Sequence, residues 1–112
     1  FSEGLYAVCE LLKVIKDKKN VYIYGCGNYG KKLYNILTKV GIEVKGYVIS
    51  DDQMKIDVVS KVDYVSDIDS DVNTYILGMS QINQNSICRK KIKGEMICPK
   101  ESILRILGNM GE

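Results

Sequence analysis

The chain has 112 residues, the size of one domain with a buried core. It is 46% hydrophobic and 27% charged, the ordinary balance of a globular protein, and its net charge is +2. That charge implies no nucleic-acid partner, and no apolar run approaches the roughly 18 residues of a membrane span. The sequence holds no histidine, so a mixed zinc site and the commonest general base are both excluded.

The four cysteines, Cys9, Cys26, Cys88 and Cys98, form no C-x-x-C pair and lie among apolar or small neighbours. Reduced, mostly buried thiols in a cytoplasmic protein are expected, with no metal. No signal peptide is visible, and a start at Phe1 without methionine suggests a piece of a longer protein.

In chain order, residues 2 to 19 read as an N-terminal helix. Ser2 suits its cap, Leu5, Val8, Cys9, Leu12 and Ile15 form an apolar stripe, and Asn20 is the expected stop. Residues 21 to 24 are a first strand, and residues 28 to 40 a helix with Leu33, Ile36, Leu37 and Val40 inward. Gly41 ends that helix. Residues 43 to 49 are a second strand. A short third strand falls at 56 to 59, with a second apolar patch at 62 to 65 and a reduced crossover before it. Asp67, Asp69 and Asp71 resemble the start of a calcium loop. Val72 and Gly78 occupy the positions that need glycine and glutamate, so a solvated acidic turn is expected instead.

The continuous apolar run at 74 to 79 marks a central parallel strand. A helix from about 83 to 93 follows, stopped by Gly94. Residues 95 to 98 are a fifth strand, and Pro99 starts a last helix through Leu107. The lysines at 16, 18 and 19, and Arg89, Lys90, Lys91 and Lys93, fall where helices are expected to end, and cations are favoured there. The order predicts an α/β, Rossmann-like three-layer sandwich. Its mostly parallel five-stranded sheet runs about 3-2-1-4-5, with residues 20 to 107 as the core and the first helix as an addition. That helix could pack on the sheet, dock a preceding domain or join a homodimer.

The chemistry-bearing motif is Gly25-Cys26-Gly27-Asn28-Tyr29-Gly30, a G-x-G-x-x-G between strand and helix. Gly25 allows the sharp turn, Gly27 allows a pyrophosphate to approach the backbone, and Gly30 allows the helix to pack close to the strand. The helix start supplies N–H groups and partial positive charge for a phosphate. Tyr29 is placed to stack on or cover a ligand. Asp51 lies 21 residues beyond Gly30, near the spacing of an acid that meets an adenosine ribose, and a shifted register would put Ser50 there instead. Met79 and Ser80 follow the central strand on the edge where such sheets bind ligands. NAD(P) or a nucleotide-sugar is the expected cofactor.

The stretch V-Y-I-Y-G-C-G-N-Y-G-K-K-L-Y-N-I-L…I-E-V-K-G-Y-V-I-S-D-D, ending at Asp52, resembles the small Rossmann-like domains of bacterial surface-polysaccharide proteins. Those domains accompany glycosyltransferases, sugar acyltransferases and methyltransferases. Tyr75-Ile-Leu-Gly-Met-Ser, Arg89 and Glu95-Met-Ile-Cys-Pro resemble their closing half, so the likeness covers about residues 20 to 107. It implies a phosphate held by Gly25, Gly27, Asn28, Tyr29 and Gly30. It also implies an accessory role beside a catalytic domain of the same chain, such as a glycosyltransferase. The chain departs from the pattern at Ile49, where many relatives of the acyltransferase type carry an acid; here the acids come later, at Asp51 and Asp52. No acyltransferase repeat and no glycosyltransferase motif follows. Two alternatives stand beside this reading: a structural or interaction domain with an empty nucleotide site, and a fragment of an NAD(P)-dependent oxidoreductase. The latter lacks a Tyr-x-x-x-Lys pair, since Leu33 stands four residues after Tyr29.

Overall fold

Three runs rich in β-branched and aromatic residues make the centre of the sheet: β1 (Val21–Tyr24), β2 (Val44–Ile49) and β4 (Thr74–Leu77). Two three-residue strands, β3 (Val62–Tyr64) and β5 (Glu95–Ile97), complete it at the edges. The computed structural model describes residues 2–52, 61–99 and 103, and of residues 2–8 the backbone only. All four strand pairings are parallel and the order is β3-β2-β1-β4-β5, the predicted Rossmann-like arrangement. Parallel strands need crossovers that cover both faces. Here α1 (Ser2–Ile15) and α2 (Asn28–Lys39) serve one face, and α3 (Val65–Ile68) and α4 (Gln81–Cys88) the other.

The two faces differ in chemistry. One is mainly aliphatic: Ile23, Ile49 and Ile76 meet Leu11 and Ile15 of α1, Leu33 and Leu37 of α2, and Ile103. The other is built on phenols, with Tyr24 and Tyr75 packed edge to face at 6.2 Å and Tyr22 beside Tyr75 at 6.1 Å. In β2 the register shifts between its pairings with Val21 and Tyr22 of β1. That irregularity puts Val44 and Tyr47, three residues apart, on the same aliphatic face, against the period of two of a regular strand.

Several boundaries differ from expectation. α1 stops at Ile15, and Asn20 instead takes a left-handed φ of 53° that turns the chain into β1. Among its described side chains Leu11 and Ile15 are buried while Cys9 is exposed, because the run Leu11-Leu12-Lys13-Val14-Ile15 offers apolar groups on more than one side; the side chains of Leu5 and Val8 lie outside the described residues. Val40 is 52% exposed, beyond the last turn of α2. The third strand pairs through Val62–Tyr64, at the second apolar patch; residues 56 to 59 lie outside the described residues, as does most of the predicted last helix. α4 starts two residues early, at Gln81, and ends at Cys88 with Arg89 as its C-cap, so Lys90, Lys91 and Lys93 follow the helix.

The acidic turn is more than solvated. Asp69 accepts the N–H of Lys93 at 2.7 Å and of Gly94 at 3.1 Å, and the Tyr75 hydroxyl donates to it at 2.7 Å. Asn73 donates to the Ile68 carbonyl and to the Tyr75 oxygen. A Cβ on Gly94 would stand 2.5 Å from the Tyr75 ring, so glycine is required there by close approach. This network locks the amino end of β4 to the start of β5.

Candidate functional site

At the carboxyl end of the sheet β1 leads towards β2 on one side, while β4 pairs on the other. The crevice therefore opens where the strand order reverses, the general ligand position of open α/β sheets. It is a cavity of about 700 Å³, within the range of small-molecule sites. Its walls come from three strand ends and one helix: the turn Gly25 to Tyr29, then Ile49, Ser50 and Asp52 at the end of β2, Gly78 to Ser80 after β4, and the Asn83–Lys90 side of α4.

The turn after β1 folds as its glycines require. The Gly25 N–H extends the ladder to the Val48 carbonyl at 2.8 Å, and its φ of 104° then throws the chain out of the strand. Side chains rarely adopt that conformation. A Cβ on Gly30 would overlap the Gly25 carbonyl oxygen, and one on Gly78 would stand 2.8 Å from the Gly30 Cα. These three glycines thus let α2 sit directly on the ends of β1 and β4. Gly78 had no assigned role in the sequence, because its neighbour Gly30 is 48 residues away.

Gly27 is different. It is the N-cap of α2 in extended backbone (φ −82°, ψ −161°), and a Cβ built on it would meet no atom within 4 Å. It lines the cavity. Neither α2, capped by Gly27, nor α4, capped by Ser80, has a side-chain hydrogen bond at its start or an acid in its first turn. The first N–H groups of a helix have no intrahelical partner, so two helix starts carrying partial positive charge border one cavity.

Of the candidate residues, Gly25, Gly27, Asn28, Tyr29, Ser50, Met79 and Ser80 all line this cavity. Gly30 lies beneath the turn as packing. Asp51 stands in the wall of a neighbouring cavity of about 370 Å³, accepting a hydrogen bond from the Ser66 hydroxyl at 2.8 Å, whereas Asp52 lines the main one. Ser50 is buried at the tip of β2, with its hydroxyl 2.6 Å from the Tyr24 hydroxyl. Burial pushes the Tyr24 phenol above its ordinary value, the Ser50 bond works against that rise, and the nearby Asp51, Asp52 and Asp69 charges add to it. Lys90, just past the end of α4, lines both cavities, as Asp52 does, so each cavity wall carries a cation and an acid. The sequence places Lys90 only at a helix end, and no local signal brings it beside the ends of β1 and β2, which lie more than 35 residues earlier in the chain.

Tyr29 is half-buried, packed against the aliphatic core while also lining the cavity. Cys26 is buried, but Cys9, Cys88 and Cys98 are exposed, which corrects the expectation of mostly buried thiols. Apolar neighbours in sequence bury neither a residue at the exit of a helix or strand, as with Cys88 and Cys98, nor one on the outer side of α1, as with Cys9. Among the described residues no helix is long and apolar enough to cross a membrane.

The fold and the placement of the cavity define a Rossmann-like α/β domain with an open switch-point crevice. No family model, curated protein or solved structure matches the chain.

Proposed function

We propose that this chain is a nucleotide-binding accessory domain that takes NAD(P) or a nucleotide-sugar across the Gly25–Gly30 turn. In this reading it serves a glycan-biosynthesis protein of the cytoplasm, beside a catalytic domain such as a glycosyltransferase. The observation that carries the nucleotide reading is Gly27: it stands at an uncapped helix start in a cavity wall, with nothing where its Cβ would be. Backbone N–H groups presented in that way suit the oxygens of a pyrophosphate. Ser80 and the start of α4 border the same cavity and extend the anion-binding surface. In this reading Asp52 is the acid for a ribose, and Lys90, in the same cavity wall, is the cation for a second phosphate.

Calorimetry of the chain with NAD, NADP, a UDP-sugar and coenzyme A tests this. One nucleotide is expected to bind below about 1 mM, and Gly27→Val, which the backbone accommodates, is expected to remove that binding. If none of the four binds the wild-type chain, the domain is a scaffold with an empty site.

A further inference from the structure

Ten residues apart and on different elements, Cys88 and Cys98 hold their sulfurs 3.5 Å from each other, and both are solvent-exposed. Cys88 is the last residue of α4, and Cys98 follows the last residue of β5. One side chain explains the meeting. Gln84, one turn before Cys88 in α4, is 1% exposed, and its amide Nε2 donates to the Pro99 carbonyl at 3.3 Å and the Met79 carbonyl at 3.2 Å. It therefore clips the chain leaving β5 against α4, and the residue before Pro99 is Cys98. The Gln84 Oε1 is buried without a partner, so this polar clip is kept in the core despite a cost in solvation.

We propose that Cys88 and Cys98 form a reversible dithiol–disulfide site, oxidised by exchange with an anionic low-molecular-weight disulfide. Bond formation asks the sulfurs to close by about 1.5 Å, which side-chain rotation at two exposed positions accommodates. Arg89, Lys90, Lys91 and Lys93 follow Cys88 closely and give this corner a positive field that attracts such an oxidant. In the first step the Cys88 thiolate attacks one sulfur of the oxidant, whose S–S bond breaks and releases one thiolate. In the second, Cys98 loses its proton to solvent and attacks the Cys88 sulfur of the mixed disulfide, releasing the second thiolate. The protein loses two protons and two electrons, and the oxidant becomes two thiols. The order follows from the pair itself. Burial, then the hydrogen bond to Cys88 and the Cys88 charge, push the Cys98 thiol up to about 11, so it is the resolving group. Once Cys88 is in a mixed disulfide, the second and third of these causes are gone.

The test is incubation of the whole chain in a glutathione redox buffer, followed by alkylation and peptide mass spectrometry, in a Cys9→Ser background that removes an unrelated exposed thiol. The expected result is a peptide pair linked through Cys88 and Cys98, reversed by excess reduced glutathione, with Cys26 alkylated only on unfolding. Cys98→Ser should instead accumulate a glutathione adduct on Cys88. Full alkylation of both cysteines after oxidation overturns the proposal. So does a stable glutathione adduct on Cys88 while Cys98 is present. Gln84→Leu, which keeps the volume but removes the clip, should slow formation of the linked product at least several-fold; an unchanged rate removes Gln84 from the explanation and overturns the pre-organised pair.

Discussion

The two ends of β4 use similar materials to opposite effect. At the amino end Asp69, Asn73, Tyr75 and Gly94 satisfy one another, with the carboxylate taking the Lys93 and Gly94 N–H groups and the Tyr75 hydroxyl among its donors. At the carboxyl end Gly78 and Ser80 open onto two helix starts whose N–H groups no side chain caps. Glycine serves close packing at both ends, at Gly94 under the Tyr75 ring and at Gly78 against Gly30. Among the described residues Gly27 and Gly41 are the glycines with open space where a Cβ would stand; Gly41 ends α2 with a left-handed φ of 89° beside a separate cavity, and Gly27 is the one that faces the switch-point cavity. The difference separates structure from site: polar groups matched to each other hold the fold, and polar groups left facing a cavity are available to a ligand.

Substitutions can break this contrast, with expected losses of stability that run from Gly30→Val, the largest, to Gly27→Val, the smallest. Gly30→Val should be the most damaging, because its side chain overlaps the Gly25 carbonyl and α2 must lift from the sheet. A loss of about 3 kcal/mol or more is expected in urea unfolding. Asp69→Ala should cost about 2–3 kcal/mol at neutral pH, since it strips a charged acceptor from two N–H groups and a phenol.

Burial alone would raise the Asp69 carboxyl, but the Lys93 N–H, the Tyr75 hydroxyl and the Gly94 and Ser70 N–H groups together hold it below 3.8. A folded value below the unfolded one stabilises the native state above the ordinary carboxylate range and loses that effect as pH falls through the folded value. The gap between wild type and Asp69→Ala should therefore be full at pH 7 and shrink on acidification below about pH 4. Paired denaturant titrations across that range measure it, and a gap that widens in acid would contradict the network.

Tyr24→Phe should be milder, about 1 kcal/mol, because it leaves the Ser50 hydroxyl buried without its 2.6 Å partner. It tests whether the floor of the cavity is as fully matched as the amino end of β4. Gly27→Val should change stability least, by under about 0.5 kcal/mol, since its φ and ψ suit any residue and its Cβ meets nothing. Calorimetry should nevertheless show at least a tenfold loss of nucleotide affinity. A variant as unstable as Gly30→Val would mean that Gly27 is packing after all.

Much of the layout was legible in local pattern. The strands at 21–24, 44–49 and 74–77 read from apolar runs of strand length, and the glycine spacing located the turn and the start of α2. The edge strand β3 was harder to place, because a three-residue strand has too few positions to show a period. α3, four residues long, left no pattern at all. Asp69 looked like a solvated acid because its partners, Lys93 and Gly94, lie 24 and 25 residues further on.

By itself, then, the sequence determined the class of fold, the strand order and the position of the glycine turn. These depend on periodicity and backbone freedom, which neighbouring residues carry. Tertiary structure alone decided which glycine packs and which faces the cavity, that Asp52 rather than Asp51 lines it, that Lys90 joins it, and that Cys88 meets Cys98. Each of these is a distance between segments far apart in the chain. Such distances are set by how the helices close over the sheet, and no local pattern encodes them.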